Sequence, residues 1–113
     1  MNESLTWTDF SKVHMRVGAV LTVEAFPQAR NPSYIITVDF GPEYGVKKTS
    51  AQLTQRYAMQ ELIGKRIIGV VNFPPKQIGP IMSEFLILGA MDSHVGTAVL
   101  EVSSDVAPGT PVA

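Results

Sequence analysis

An alternating run near the start of the chain constrains the fold more than any other feature. Every odd-numbered residue from position 13 to position 25 is apolar, while the even positions include His14, Arg16 and Glu24. A period of two over this length predicts one long strand with an apolar side and a polar side. Gly18 interrupts the polar side, where the missing side chain allows a sharp bend or a bulge. Long curved first strands of this kind suit small closed barrels.

The rest of the chain alternates short apolar runs with turn residues. Residues 53–64 carry apolar side chains at helical spacing, with Thr54 as a cap and Gly64 as the end. Further strands are predicted at residues 34–40, 46–52, 66–72, 84–90 and 97–102. Three strands, a helix and two more strands is the order of an OB-fold, a five-stranded Greek-key barrel. We therefore predict an all-β fold with one short helix and a single domain over residues 1–113.

The charge is nearly balanced in total and uneven along the chain. Nine Lys and Arg residues stand against ten Asp and Glu residues, which by itself argues against a protein that coats nucleic acid. Residues 30–76, however, hold seven basic and three acidic side chains, and every charged residue after position 76 is acidic. A basic face is therefore compatible with the neutral total.

The residue content also excludes several kinds of chemistry. The chain has no cysteine, which excludes disulfides, thiolate metal sites and cysteine nucleophiles. Because His14 and His94 have no acidic cluster beside them, we predict no metal site and no cofactor. No catalytic motif occurs, so we predict a protein without catalytic residues that is not an enzyme. No signal peptide or bilayer-length apolar run is evident, and we predict a cytoplasmic protein without membrane insertion.

Polar chemistry concentrates in the run VVNFPPKQIGPIMSEFLILGA at residues 70–90. Asn72 closes a predicted strand, and the proline pair that follows stiffens the loop from which Lys76 and Gln77 project. An amide can pair with a base edge, a lysine can contact a phosphate, and Phe73 can stack on a base. The alternative is a proline-rich connection in which Asn72 caps a strand, Phe73 is core and Lys76 is solvated.

This run resembles the tRNA-binding domain family, which occurs in CsaA-type export chaperones, in the C-terminal appendages of some methionyl-tRNA synthetases and in the endothelial-monocyte-activating polypeptide group. The CsaA type is the most similar of these, and the segment DFSKVHMRVG at residues 9–18 supports it. The resemblance implies an OB-fold with Asn72 and Ser83 on its binding side. Many relatives carry a methionine where this chain has Leu86, and more basic residues in the loop.

The resemblance also implies a homodimer. Apolar residues make up 45% of the chain, which is high for a small monomer, so we expect apolar surface to be buried between subunits. Residues 7–12 and 107–113 lie outside the barrel pattern and carry Trp7, Phe10 and Val112. These two extensions are the candidate dimer interface.

The candidate RNA site combines loop and strand residues. Arg30 lies between the first two predicted strands, in one of the two rim loops that flank an OB-fold cleft. Lys47 and Lys48 are neighbours on a strand, so only one of them can face a ligand. Glu84 either accepts from a base amino group or faces water. The predicted RNA-binding residues are Arg30, Lys47, Lys48, Asn72, Lys76, Gln77, Ser83 and Glu84.

Two hypotheses for the function remain open from the sequence. The first is a tRNA-binding protein that grips RNA with the OB-fold cleft and its rim loops. The alternative, implied by the CsaA resemblance, is an export-related chaperone that binds preproteins on the same surface and works with the export machinery. Its candidate peptide-binding residues are Phe73, Ile78, Ile81 and Met82, for which core packing is the other interpretation.

Overall fold

The structure is a computed structural model that describes residues 3–113, so residues 1 and 2 of the predicted domain lie outside the described residues. Within this range the chain forms ten strands and three short helices. The strands are β1 Met15–Ala25, β2 Tyr34–Asp39, β3 Val46–Ala51, β4 Arg66–Val70, β5 Lys76–Ile78, β6 Ile81–Ser83, β7 Leu86–Ile87, β8 Gly89–Asp92, β9 Gly96–Val99 and β10 Pro111–Val112. The helices are α1 Trp7–Ser11, α2 Gly41–Tyr44 and α3 Met59–Leu62.

The main sheet curls into a nearly closed barrel. Its strand order is β3-β2-β1-β4-β7, and all neighbours are antiparallel. The two ends of this path meet where the Glu84 N–H donates to the Lys48 carbonyl at 2.8 Å and the Lys48 N–H donates to Glu84 Oε1 at 3.0 Å. The predicted all-β barrel is therefore confirmed, with three short helices in place of the single predicted one.

β1 is the predicted long strand, but its inward side differs from the prediction. The pairing with β2 shifts register between Val20 and Thr22, which marks a bulge. Before the bulge, Gly18 faces the core: a Cβ there would lie 2.3 Å from Val38 Cγ1 and 2.7 Å from Phe40 Cε1. The expectation that Gly18 interrupts the polar side is wrong, because the glycine makes room for core side chains.

Phe40 occupies the centre of the core and is fully buried. Its ring meets Phe85 edge to face, with the ring centroids 4.8 Å apart. Gly18 and Gly69 border the same ring, since a Cβ at Gly69 would lie 2.6 Å from Phe40 Cζ. Strands β1, β2 and β4 and helix α3 contribute further buried members of this cluster: Val20, Ile36, Val38, Leu62 and Ile67.

The predicted helix at residues 53–64 is much shorter in the structure. A turn comes first, and only the four residues of α3 are helical. Glu61 Oε1 accepts the Ala58 N–H at 2.6 Å at the start of α3, while the Tyr57 hydroxyl accepts a backbone N–H from β9 at 3.1 Å. Gly64 follows α3 with a φ of +86°, the left-handed conformation predicted for it. No helix in residues 3–113 has the length and apolar character needed to cross a lipid bilayer.

The segment predicted as a stiff loop contains a β-hairpin. β5 and β6 pair with Lys76 opposite Ser83, and Gly79 has a φ of +54° at the turn. The tip of the hairpin lies against Phe26, because a Cβ built at Gly79 would be 3.5 Å from Phe26 Cζ. The strand predicted at residues 84–90 is correspondingly divided into β7 and β8. The hairpin therefore extends from the barrel towards the loop that follows β1.

The two extensions behave differently from each other. The tail joins the main sheet through β10, and the Gly109 N–H donates to the Val17 carbonyl at 2.7 Å. The expectation that the tail lies outside the barrel is therefore wrong. At the other end, Thr6 Oγ1 accepts the Asp9 N–H at 3.0 Å and caps α1, whose Trp7 is 90% exposed.

Candidate binding cleft

A cleft of about 750 Å³ opens beside the junction between β3 and the chain that leads into β7. Its walls are the loop at residues 26–33, the chain at residues 49–53 along and beyond the end of β3, the tip of the β5–β6 hairpin, and the chain from β7 to β9. Backbone connections that are distant in sequence thus converge on one concave surface. A cleft bounded by rim loops on one side of a small barrel is where an OB-fold binds its ligands.

The cleft carries little charge, and most of the surface that it exposes is apolar. Arg30 is the only charged residue among the described residues that line it. Arg30 is exposed, and no carboxylate in residues 3–113 forms an ion pair with it. Among the other lining residues, Thr49 Oγ1 and Ser83 Oγ lie 2.6 Å apart. Hydroxyl and amide groups therefore dominate the polar surface, which suits a ligand that presents neutral hydrogen-bonding edges.

One wall of the cleft is apolar. Leu86 is 48% exposed and Met91 is 88% exposed, and both line the cleft. Met91 belongs to the β8–β9 hairpin, so its side chain stands at the rim. Thioether and branched alkyl groups make favourable contacts with ring faces and with aliphatic chains. The cleft can therefore accommodate either a base or an apolar side chain.

The structure separates the two neighbouring lysines of β3. Lys47 lies opposite the fully buried Val38 in the sheet. The side chain of Lys47 therefore leaves the sheet on its inner face, and that of Lys48 leaves it on the outer face. Neither lysine lines the cleft. Lys48 is joined to Glu84 through its backbone, and Lys76 lies opposite Ser83 in the hairpin. Lys48 and Lys76 therefore flank the Ser83–Glu84 segment outside the cleft and add positive charge there.

The structure brings together only part of the predicted RNA-binding set. Two of the eight residues line the cleft, namely Arg30 and Ser83. The other six lie outside it, namely Lys47, Lys48, Asn72, Lys76, Gln77 and Glu84. The carboxylate of Glu84 and the amide of Gln77 are engaged by the chain itself, since Gln77 Nε2 donates to the Gly79 and Ile81 carbonyls at 2.6 and 3.2 Å.

Asn72 ties the segment before β1 to the end of β4. Its Oδ1 accepts the His14 N–H at 2.9 Å, and its Nδ2 donates to the Lys12 carbonyl at 2.7 Å. Both ends of the amide are therefore used within the chain. This arrangement agrees with the alternative in which Asn72 caps the end of a strand. Its partner is the backbone of His14, 58 residues away in sequence.

We expect Asn72→Ala to lower the free energy of unfolding by about 1–2 kcal/mol, because two hydrogen bonds to backbone groups are lost. Asn72→Asp keeps the acceptor for His14 and loses the donor to Lys12, so its effect should be intermediate. Urea denaturation measures both variants. Unchanged stability combined with loss of tRNA binding would instead assign Asn72 to the RNA site.

Only one of the four candidate peptide-binding residues lines the cleft, and that residue is Ile78. Phe73 is 54% exposed, Met82 is 43% exposed and Ile81 is half-buried, and these three lie elsewhere. Core packing, the other interpretation of these residues, is therefore wrong for Phe73 and Met82. Their exposure leaves them available for contacts outside the cleft.

Sequence reasoning missed most of the neutral surface of the cleft. Phe26, Thr49, Met91 and Thr97 all line it, yet none belongs to a recognisable motif. Thr49 lies within the strand predicted at residues 46–52, but its burial, at 3% exposed, is visible only in the structure. The others depend on how the loop after β1 and the β8–β9 hairpin meet.

The titratable groups of the described residues do not form a metal centre. No three His, Asp or Glu side chains in residues 3–113 lie close enough together to hold an ion. Asp92 shapes a turn instead, because the N–H groups of Val95 and His94 donate to its carboxylate and hold the pKa of Asp92 below its usual value.

Residues 15–111 match a family model described as "Putative tRNA binding domain". The chain belongs to the tRNA-binding domain family. The match extends from the first residue of β1 to the first residue of β10, and so includes every segment that lines the cleft. The resemblance carried by residues 9–18 and 70–90 is therefore confirmed.

Two solved structures of CsaA chaperones share the fold over almost their full length. The CsaA chaperone of Picrophilus torridus is 43% identical with a TM-score of 0.90, and the likeness covers 97% of this chain and 100% of that one. The CsaA chaperone of Bacillus anthracis is 37% identical with a TM-score of 0.89, covering 97% and 99%.

A curated relative of different size is the methionine–tRNA ligase of Porphyromonas gingivalis. It is 34% identical over 110 residues, which are 97% of this chain and 16% of the ligase. The chain thus spans about a sixth of that relative, so the likeness concerns one part of the ligase only. Together with the full-length likeness to CsaA chaperones, this indicates a non-catalytic binding domain.

Proposed function

We propose that this chain binds tRNA in the cleft and performs no catalysis. Family membership supports the choice of ligand, and the observation that carries the proposal is the composition of the cleft. The cleft combines Arg30, neutral hydrogen-bonding groups and the exposed apolar side chains of Leu86 and Met91. Single-stranded bases need this combination, because their edges are neutral hydrogen-bonding groups and their faces are apolar.

Base and phosphate contacts would be divided between the cleft and its surroundings. Ser83, whose hydroxyl contacts the buried Thr49, would pair with base edges, while Leu86 and Met91 would contact base faces. Phosphates would meet Arg30 on one side and Lys48 and Lys76 beside the Ser83–Glu84 segment on the other. Phosphate contacts position a nucleic acid, whereas contacts to base edges provide any preference for sequence.

The salt dependence of tRNA binding tests this division. Three phosphate contacts predict a slope of about −2 for the logarithm of affinity against that of salt concentration, so binding should weaken roughly 20-fold between ~50 and ~200 mM salt. Fluorescence anisotropy with total tRNA measures this change. Absence of binding at the lower salt concentration, or a change below about twofold, would contradict the proposal.

A second candidate is supported by the exposure of the apolar wall. Met91 and Leu86 are large apolar side chains that are exposed to solvent without any need of the fold. They lie in the cleft, where an extended apolar peptide would fit. In this reading the chain is a chaperone for preproteins, as the CsaA resemblance implies. The same cleft would then serve RNA or protein.

Met91→Ser should weaken binding of an unstructured apolar peptide by about fivefold, because an apolar side chain is removed from the wall of the cleft. Val95→Ser is the matched control, since Val95 is 52% exposed near the same hairpin turn but does not line the cleft. Isothermal titration calorimetry measures both affinities. Equal effects of the two substitutions would place the peptide elsewhere.

The remaining features of the proposal concern the assembled protein. We propose one domain over residues 1–113, a homodimer and a cytoplasmic location, with preproteins and the export machinery as partners if the second candidate holds. The exposure of Leu5 and Trp7, 69% and 90%, supports an interface that includes the segment around α1. Sedimentation equilibrium measures the oligomeric state directly.

A further inference from the structure

A polar cluster lies at the start of β1, away from the cleft. It consists of His14, Arg16 and Tyr44, and none of the three lines the cleft. The cleft instead includes the loop that follows the other end of β1. His14 is exposed, while Arg16 and Tyr44 are half-buried. The cluster is therefore a separate surface with access to solvent from the side of His14.

The three side chains are arranged around the Tyr44 hydroxyl. Arg16 Nη2 donates to this oxygen at 3.3 Å, and His14 Nδ1 lies 3.3 Å from the same oxygen. The Arg16 guanidinium also lies over the Tyr44 ring, with Cζ 5.1 Å from the centroid. Contact with an aromatic face restricts the rotation of a guanidinium, so its donors are held in a limited set of directions.

The guanidinium of Arg16 lacks the partner that such groups normally have. The ion pairs in residues 3–113 are Lys12–Asp9 and Lys65–Glu101, so no carboxylate there pairs with Arg16. Its Nε is buried and has no acceptor. Asp39, near the start of α2, already accepts the Gly41 N–H at 2.8 Å. Apart from the Tyr44 hydroxyl, no acceptor in residues 3–113 pairs with the guanidinium. Unpaired donors on a half-buried cation are unfavourable, and an anion bound at its accessible N–H groups would reduce this cost.

We propose that His14, Arg16 and Tyr44 form an anion-binding site that takes a phosphate group. The guanidinium supplies N–H donors, and the hydroxyl and the imidazole together supply one more, because the other of their two donors is used in the contact between the Tyr44 hydroxyl and His14 Nδ1. This set fits the oxygens of a tetrahedral anion, for which arginine is the preferred side chain. The phosphate belongs either to a phosphodiester of RNA or to a free phosphate, and the site does not depend on tRNA binding in the cleft.

Imidazole NMR signals provide a direct test, because the chain has two histidines. His94 lies in the exposed turn between β8 and β9 and is an internal reference. Inorganic phosphate, added at constant pH and ionic strength, should shift the His14 ring signals with saturation and leave those of His94 unchanged. Arg16→Gln should weaken this binding at least about tenfold, since hydrogen bonds to a charged group are lost.

Arg56→Gln is the matched control, because Arg56 also lies over a tyrosine, with Cζ 5.7 Å from the Tyr57 centroid, but has no histidine in a comparable arrangement. It should leave the His14 titration unchanged. Should Arg16→Gln fail to fold, Tyr44→Phe removes only the hydroxyl and should weaken phosphate binding about threefold. A His14 shift that is unchanged in both Arg16→Gln and Tyr44→Phe would overturn the proposal.

A second titration with tRNA distinguishes the two sources of phosphate. A saturable His14 shift with tRNA that is lost in Arg16→Gln supports a phosphodiester ligand, and a shift with inorganic phosphate alone supports a free phosphate. No saturable shift with either ligand overturns the proposal. Failure of tRNA to bind the cleft would leave the phosphate titration unaffected, so the two proposals fail separately.

Discussion

Phe40→Ala is expected to lower the free energy of unfolding by about 4 kcal/mol. Phe40 is fully buried and packs edge to face on Phe85. Gly18 and Gly69 border the same ring and have no side chains that can move into the space it leaves. The cavity should therefore stay open, which is the condition under which truncation of a core residue costs most.

Urea denaturation monitored by circular dichroism measures this loss. Phe73→Ala is the control, since it removes the same ring from a position that is 54% exposed, and it should cost less than about 1 kcal/mol. If both variants lost similar stability, the core would not be organised around Phe40. A typical domain has only roughly 5–15 kcal/mol of stability, so the effect should be large enough to resolve.

Arg30→Glu is expected to weaken tRNA binding at least about tenfold, because a charge-assisted contact to phosphate is replaced by repulsion. Arg30 is the only charged group among the described residues that line the cleft, so no neighbouring cation on its walls can compensate. The substitution should also make the salt dependence shallower by about 0.7 in slope, the contribution of one phosphate contact. Fluorescence anisotropy at several salt concentrations measures both quantities.

Arg56→Glu controls for the change in net charge. Arg56 is exposed and lies over Tyr57 outside the cleft, so its reversal should change tRNA affinity by less than about threefold through long-range repulsion alone. Equal losses in the two variants would mean that tRNA responds to total charge and has no particular contact with Arg30.

The candidate cleft could be predicted from the sequence only in part. Arg30 was predicted as a rim-loop residue, and the structure places it on the cleft because the loop after β1 borders the end of β3. The rim-loop argument needs only the order of the strands, which a local pattern supplies. The presence of Thr49, Leu86 and Met91 in the cleft depends on which segments come together there. No local sequence pattern indicates which segments these are. The role of the cleft in binding stays a prediction.

The hairpin between residues 76 and 83 shows a similar limit. The proline pair that precedes it, Pro74 and Pro75, predicted a stiff connection, which agrees with an ordered segment. At its turn the Gln77 amide donates to the Gly79 carbonyl, and Gly79 lies close to Phe26, a side chain some 50 positions earlier in the chain. The sequence therefore indicated where the chain turns, while the structure shows which side chain the turn contacts.

The sequence by itself determined the family, the order of the main strands and the position of Gly64 after a helix. These features depend on periodicity, turn residues and motifs, which act over a few neighbouring residues. The tertiary structure alone decided that Gly18 faces the core beside Phe40, that the tail pairs with β1, and that the cleft is nearly uncharged. The physical reason is that side-chain packing and strand pairing join residues far apart in sequence, so their outcome is set by the closed barrel as a whole.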